Sequence, residues 1–240
     1  GGLKLGIGYD QSYGIETVKA ISPYVNNRRA DITGAHRGLP TAARKPLGPD
    51  VWDTSSGENA IGLSFKNDLA AISFGFTPVR DVNTSTDAIP TTGASEYGTA
   101  SSIGVKLTPV DGLTIGFGTS SEESDATANS DPKGTTIGFQ YKIGSFAIGY
   151  QEIENIIDSA SATEDSVEIQ EGGVAYKVND ALTIGVFAAN INYLTVNTDN
   201  GVETGMGIVQ VGYNLGPAVI QYDYADGSDL NGTKDTDCLL

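Results

Sequence analysis

Apolar and polar positions alternate one by one through most of the chain. In LTIGFG, residues 113–118, Leu113, Ile115 and Phe117 fall on one side and Thr114, Gly116 and Gly118 on the other. Successive side chains of an extended strand point to opposite faces, so this period predicts a strand with one apolar face. The phrase returns as TIGFQ at 136–140, AIGYQ at 147–151 and TIGVF at 183–187, with looser copies at 60–64 and 102–106. Such repetition reports one structural task performed again and again. The same reading predicts eleven strands, at 1–9, 61–67, 69–77, 101–108, 112–119, 135–142, 145–152, 166–178, 181–192, 203–214 and 217–225. Segment 166–178 breaks the alternation at Gly172–Gly173, where a β-bulge is expected.

The connections alternate in length. KND, PVDG, KIGS, VND and NLGP are short turns, whereas 10–60, 78–100, 120–134, 153–165, 193–202 and 226 onward are long and polar. A barrel with short turns at one rim and long loops at the other has this rhythm. Tyr9, Tyr141, Tyr150, Tyr176, Tyr213, Tyr222 and Tyr224 fall near strand ends, which suits a membrane–water interface. Two arrangements remain open. Either the apolar face fills a shared soluble interior and the glycine-rich face meets water outside, or the apolar face meets lipid and the polar face lines a lumen.

Composition narrows the classes. A net charge of −16 excludes a nucleic-acid binder, which needs clustered Lys and Arg. With one cysteine, Cys238, no intramolecular disulfide forms. His36 is the sole histidine and has no nucleophile motif beside it, and the paired acids Glu122–Glu123 have nothing to fix them as a glycosidase pair, so no enzyme is expected. No run of about 18 apolar residues is present for a transmembrane helix, and the opening GGLKLGIGYD lacks the features of a signal peptide.

The stretches GGLKLGIGYD, NAIGLSFKNDLAAISFGF, GVKLTPVDGLTIGFG, TIGFQYKIGSFAIGYQ and VAYKVNDALTIGVFA resemble the hairpins of Gram-negative general diffusion porins of the alphaproteobacterial type, over nearly the whole chain. The resemblance implies an all-β fold, a transmembrane antiparallel β-barrel of the 16-stranded porin type. Residues 1–240 then form one partial barrel domain with a long constriction-type loop at 10–60. If the first strand corresponds to the family's fifth, the eleven strands are its fifth to fifteenth and the sequence is a piece of a longer one. The implied function is passive diffusion of small hydrophilic solutes and ions through a homotrimer in the bacterial outer membrane, in contact with membrane lipid and lipopolysaccharide. A substrate-selective outer-membrane channel and a secreted all-β adhesive or surface protein are the rivals.

Candidate site residues follow. Arg28, Arg29, Arg37, Arg44 and Lys45 hold five of the fourteen basic residues within the long loop, beside Asp31. They form either a pore constriction with a transverse field or a solvated surface loop. ETVKAIS at 16–22 is expected as a short helix in that loop. Lys66, Lys106 and Lys142 fall on the polar face near the short-turn rim, where they tune the lumen or only hydrate it. The other long loops are acidic. DGSDLNG at 226–232 makes Asp226 and Asp229 a candidate structural calcium site, although the full calcium-loop spacing and closing Glu are missing. No cofactor is otherwise required.

Overall fold

The computed structural model describes residues 1–9, 13–18, 21, 59–78, 97–124, 133–157, 165–195, 198–228 and 238–239. They form one antiparallel sheet of twelve strands in which each strand pairs only with its neighbours in sequence. The strands are β1 Gly2–Tyr9, β2 Asn59–Lys66, β3 Ala70–Thr77, β4 Tyr97–Leu107, β5 Leu113–Ser124 and β6 Lys133–Ile143. They continue as β7 Phe146–Ile157, β8 Asp165–Lys177, β9 Leu182–Thr195, β10 Thr198–Asn214, β11 Val219–Ser228 and the two-residue β12 Cys238–Leu239. All eleven expected strands are present. Several extend further toward the long connections than the alternation suggested.

The short turns are closed by local chemistry. In the turn after β2 the Asn67 carboxamide oxygen accepts from the N–H groups of Leu69 and Ala70, at 2.9 and 2.7 Å. In the turn after β8 Asn179 does the same for Ala181 and Leu182, at 2.9 and 2.8 Å. An Asn side chain that mimics a backbone turn in this way favours reversal over continuation of the strand. Gly112, Gly144 and Gly216 take positive φ in three other short turns, a conformation that L side chains rarely adopt.

The two faces of the sheet are inverted relative to a soluble protein. Phe117, Ile137 and Val186 are 45%, 53% and 59% exposed, as are similar side chains on the neighbouring strands. Thr136, Gln151 and Gln210, on the opposite face, are 1%, 0% and 0% exposed. A soluble sandwich hides its apolar face against a second sheet. Here that face is uncovered and the polar face is inside, the arrangement of a membrane β-barrel wall.

The expected bulge at Gly172–Gly173 is absent. Register runs unbroken from Asp165 to Lys177 against both β7 and β9. What changes is the side on which the apolar residues lie. Toward the short turn, Val174 and Tyr176 are the exposed apolar residues of β8, whereas Ile169 is buried on the inner face beyond Glu171. The same exchange occurs in β7, where outward Ile148 and Tyr150 give way to outward Glu152 and Glu154, and Ile153 turns inward. The exchange marks the level at which the outward face leaves the apolar medium.

Candidate functional site: a chain segment docked on the inner wall

Small residues are gathered in one region of the inner face. Strand register puts Gly6, Gly62, Gly75, Ser102 and Ser120 side by side across β1 to β5. The next inward row carries Ser64, Ser73, Gly104, Gly118 and Thr136. The recurring glycine of the sequence phrase is thus an inward position in each strand, and together these positions form a shallow trough.

The segment after β1 lies in that trough. It forms a 3-10 helix at Gly14–Val18, which overlaps the start of the short helix expected at 16–22, and residues 19, 20 and 22 lie outside the described ones. Tyr13 lies over Gly6 and Gly62, where a Cβ would collide with its ring. Gly14 has φ of 69° and abuts Ser102, and its N–H donates to the Ser73 hydroxyl at 2.8 Å. Ile15 and Val18 fill the space above Gly118, and Ile21 that above Gly116. Ile15, Val18 and Ile21 are 2%, 0% and 2% exposed. Burial at about 1.5–3 kcal/mol per side chain favours this docking against the entropy of ordering the segment.

A polar clamp holds the far end. Gln151 on β7 accepts from the Ile21 N–H at 3.4 Å. Its amide nitrogen donates to the Val18 carbonyl at 3.5 Å and to the Thr136 hydroxyl at 3.0 Å. The Thr136 hydroxyl donates in turn to the Glu152 carbonyl at 3.0 Å. Glu171, 4% exposed, is the register partner of Gln151 on β8. Tyr13, Gln151 and Glu171 were not singled out from sequence. For Gln151 the available signal was a long amide on the inward face of the phrase AIGYQ, where the copy TIGFG has Gly118.

Of the expected site residues, Arg28, Arg29, Asp31, Arg37, Arg44 and Lys45 lie outside the described residues, and so does Asp229. Asp226 lies in β11, its backbone opposite Leu239. Among the described residues no group of three metal-ligating side chains converges. Lys66 and Lys106 share the inner face, in register on either side of Ala71. Lys142 is on the same face but stands apart, lining a hollow at the short-turn rim with Asp68 and Asp111.

Residues 1–235 match the family model described as Gram-negative porin. Comparison with curated proteins finds no match. Among solved structures the chain is similar to a porin refined at 1.8 Å, with 14% identity, a TM-score of 0.55 and coverage of 75% of this chain. It spans 59% of that porin's length. It is similar to OmpT of Vibrio cholerae in its trimer form, with 12% identity, a TM-score of 0.55 and coverage of 99% of this chain and 72% of that one. It also resembles the outer membrane channel DcaP of Acinetobacter baumannii, with 10% identity, a TM-score of 0.60 and coverage of 85% and 66%. At these identities the likeness is one of fold.

Proposed function

Since the chain belongs to the Gram-negative porin family, we propose that it forms the wall of an outer-membrane channel for passive diffusion of small hydrophilic solutes and ions. The observation that carries this reading is the inversion of the two faces, with a chain segment docked on the inner one. An uncovered apolar band suits lipid, and an inner face of Thr, Ser, Gln and Gly suits water. A segment held against the wall reduces the free cross-section and so sets a size limit. In this reading Arg28, Arg29, Arg37, Arg44 and Lys45, with Asp31, continue from the docked segment and give the constriction its charge. Membrane lipid and lipopolysaccharide surround the barrel, and the assembly is a homotrimer, as OmpT is in its trimer form.

Planar-bilayer recording from the protein purified from its native membrane tests this. The expected result is large stepwise currents, in groups of three for a trimer, from a sample that runs faster on a gel before boiling than after. No current from such a heat-modifiable sample overturns the channel, and solubility without detergent overturns the membrane barrel.

A further inference from the structure

The inner face carries a basic recess that general diffusion does not require. It lies beneath the docked segment, toward the short-turn rim, and encloses about 580 Å³. Lys4, Lys66 and Lys106 line it, with Ser64 beside them, Tyr13 and Thr17 at its edge, and one carboxylate, Asp68, in the short turn that makes no ion pair with any of the three amines. Register fixes how these amines converge. Lys4 pairs with Ser64, two residues from Lys66 on the same face, so their backbones are diagonal neighbours about 7–8 Å apart. Lys66 and Lys106 flank Ala71 on three adjacent strands, about 10 Å apart.

Three like charges at this spacing repel one another, and a protein of net charge −16 has many carboxylates with which to neutralise them. Yet none of the three amines makes an ion pair among the described residues, where the one ion pair is Lys177–Asp180 at the rim. Lys106 is half-buried, so its charge is partly desolvated as well. Lys4 and Lys66 are exposed to the lumen side, so an anion can reach them and relieve the repulsion felt by the half-buried Lys106. A hydroxyl-lined rim adds donors suited to an oxygen-rich ligand.

We propose that this recess binds a small multivalent oxyanion of the phosphate or sulfate type as it passes through the lumen. The inference rests on the channel reading and deepens it, giving the pore a saturable step for such solutes. The lipid-facing side of the sheet is the opposite one, so the ligand arrives from water.

The test uses inorganic phosphate against the protein purified from its membrane. In bilayers bathed in chloride, millimolar phosphate is expected to reduce chloride current and to saturate. The double variant Lys66→Gln/Lys106→Gln is expected to raise the phosphate concentration for half-block at least about tenfold, through loss of two charge-assisted contacts. Lys133→Gln, which removes one positive charge from the outward face, leaves the block in place. Broadening of the phosphorus NMR line by detergent-solubilised protein, present in wild type and lost in the double variant, gives a readout that needs no current. Channels that conduct chloride with no phosphate block overturn the site and leave the channel reading intact. Equal block, or equal broadening, in wild type and double variant also overturns it. Phosphate binding without any current sinks the channel and retains the recess.

Discussion

Gln151 and Ile21 are 130 residues apart in sequence and are joined by a hydrogen bond of 3.4 Å on the inner face. The same carboxamide reaches Val18 and Thr136, so one side chain ties the loop to two strands of the wall. Replacing it with Leu leaves the Ile21 N–H and Val18 carbonyl without this partner. The expected cost is about 1–3 kcal/mol. The heat-modified gel transition of Gln151→Leu should shift downward, and its single-channel conductance should differ from wild type because the docked segment is less firmly held.

Gly118 and Gly116 make room for Ile15, Val18 and Ile21. Gly118→Val should displace the segment while leaving the wall intact, with a packing cost of about 1–3 kcal/mol. Conductance is the readout, and an increase is expected. Gly207→Ala is the control, since a Cβ there meets nothing within 4 Å. Equal behaviour of the two variants would contradict docking.

Charge on the outward band should be costly only where the band is apolar. Ile137→Lys faces outward from β6 and is expected to destabilise the barrel by about 2–4 kcal/mol near the middle of a bilayer. Glu154→Lys, outward and exposed beyond the exchange of faces in β7, should be nearly neutral. Urea titration of protein refolded into lipid vesicles measures both.

The turn Val178–Ala181 has a pH-dependent part. Lys177 donates to Asp180 at 2.8 Å, and this hydrogen bond, with the lysine's charge, lowers the Asp180 pKa below its ordinary value. A depressed folded pKa means the contribution is present above the unfolded value and is lost as pH falls through the folded one. Asp180→Asn should therefore lower stability slightly at neutral pH and abolish the further small loss that wild type shows below about pH 4. Asn179→Ala instead removes the single oxygen that accepts both turn hydrogen bonds and should cost about 1 kcal/mol at every pH, measured by the same titration.

The strands were legible because one apolar face imposes strict alternation, and Leu113, Ile115 and Phe117 state it plainly. Strand ends near the long loops were not, because β7 and β8 exchange their apolar side there. Ile153 and Ile169 are inward while Glu152 and Glu168 are outward, so a rule that follows apolar residues alone reads a bulge at Gly172–Gly173 where the backbone runs straight. The glycine phrase was visible but its purpose was not. Gly116 and Gly118 serve residues about a hundred positions earlier, and only register brings Ile15 and Ile21 over them. Lys66 and Lys106 were found by parity. Their association with Lys4, and the separation of Lys142, needed the pairing of β1 to β4.

Neighbour-only pairing bears on the order of assembly. The hairpins with short turns close over a few residues and every strand pairs only with its sequence neighbours, so much of the wall grows by local steps. The trough for Tyr13 to Ile21 is shared among β1 to β5, and its clamp is on β7. No surface exists for the segment to settle on until those strands stand side by side. Narrowing of the passage is thereby a late event, which follows completion of the wall and does not compete with strand pairing while the sheet is being laid down.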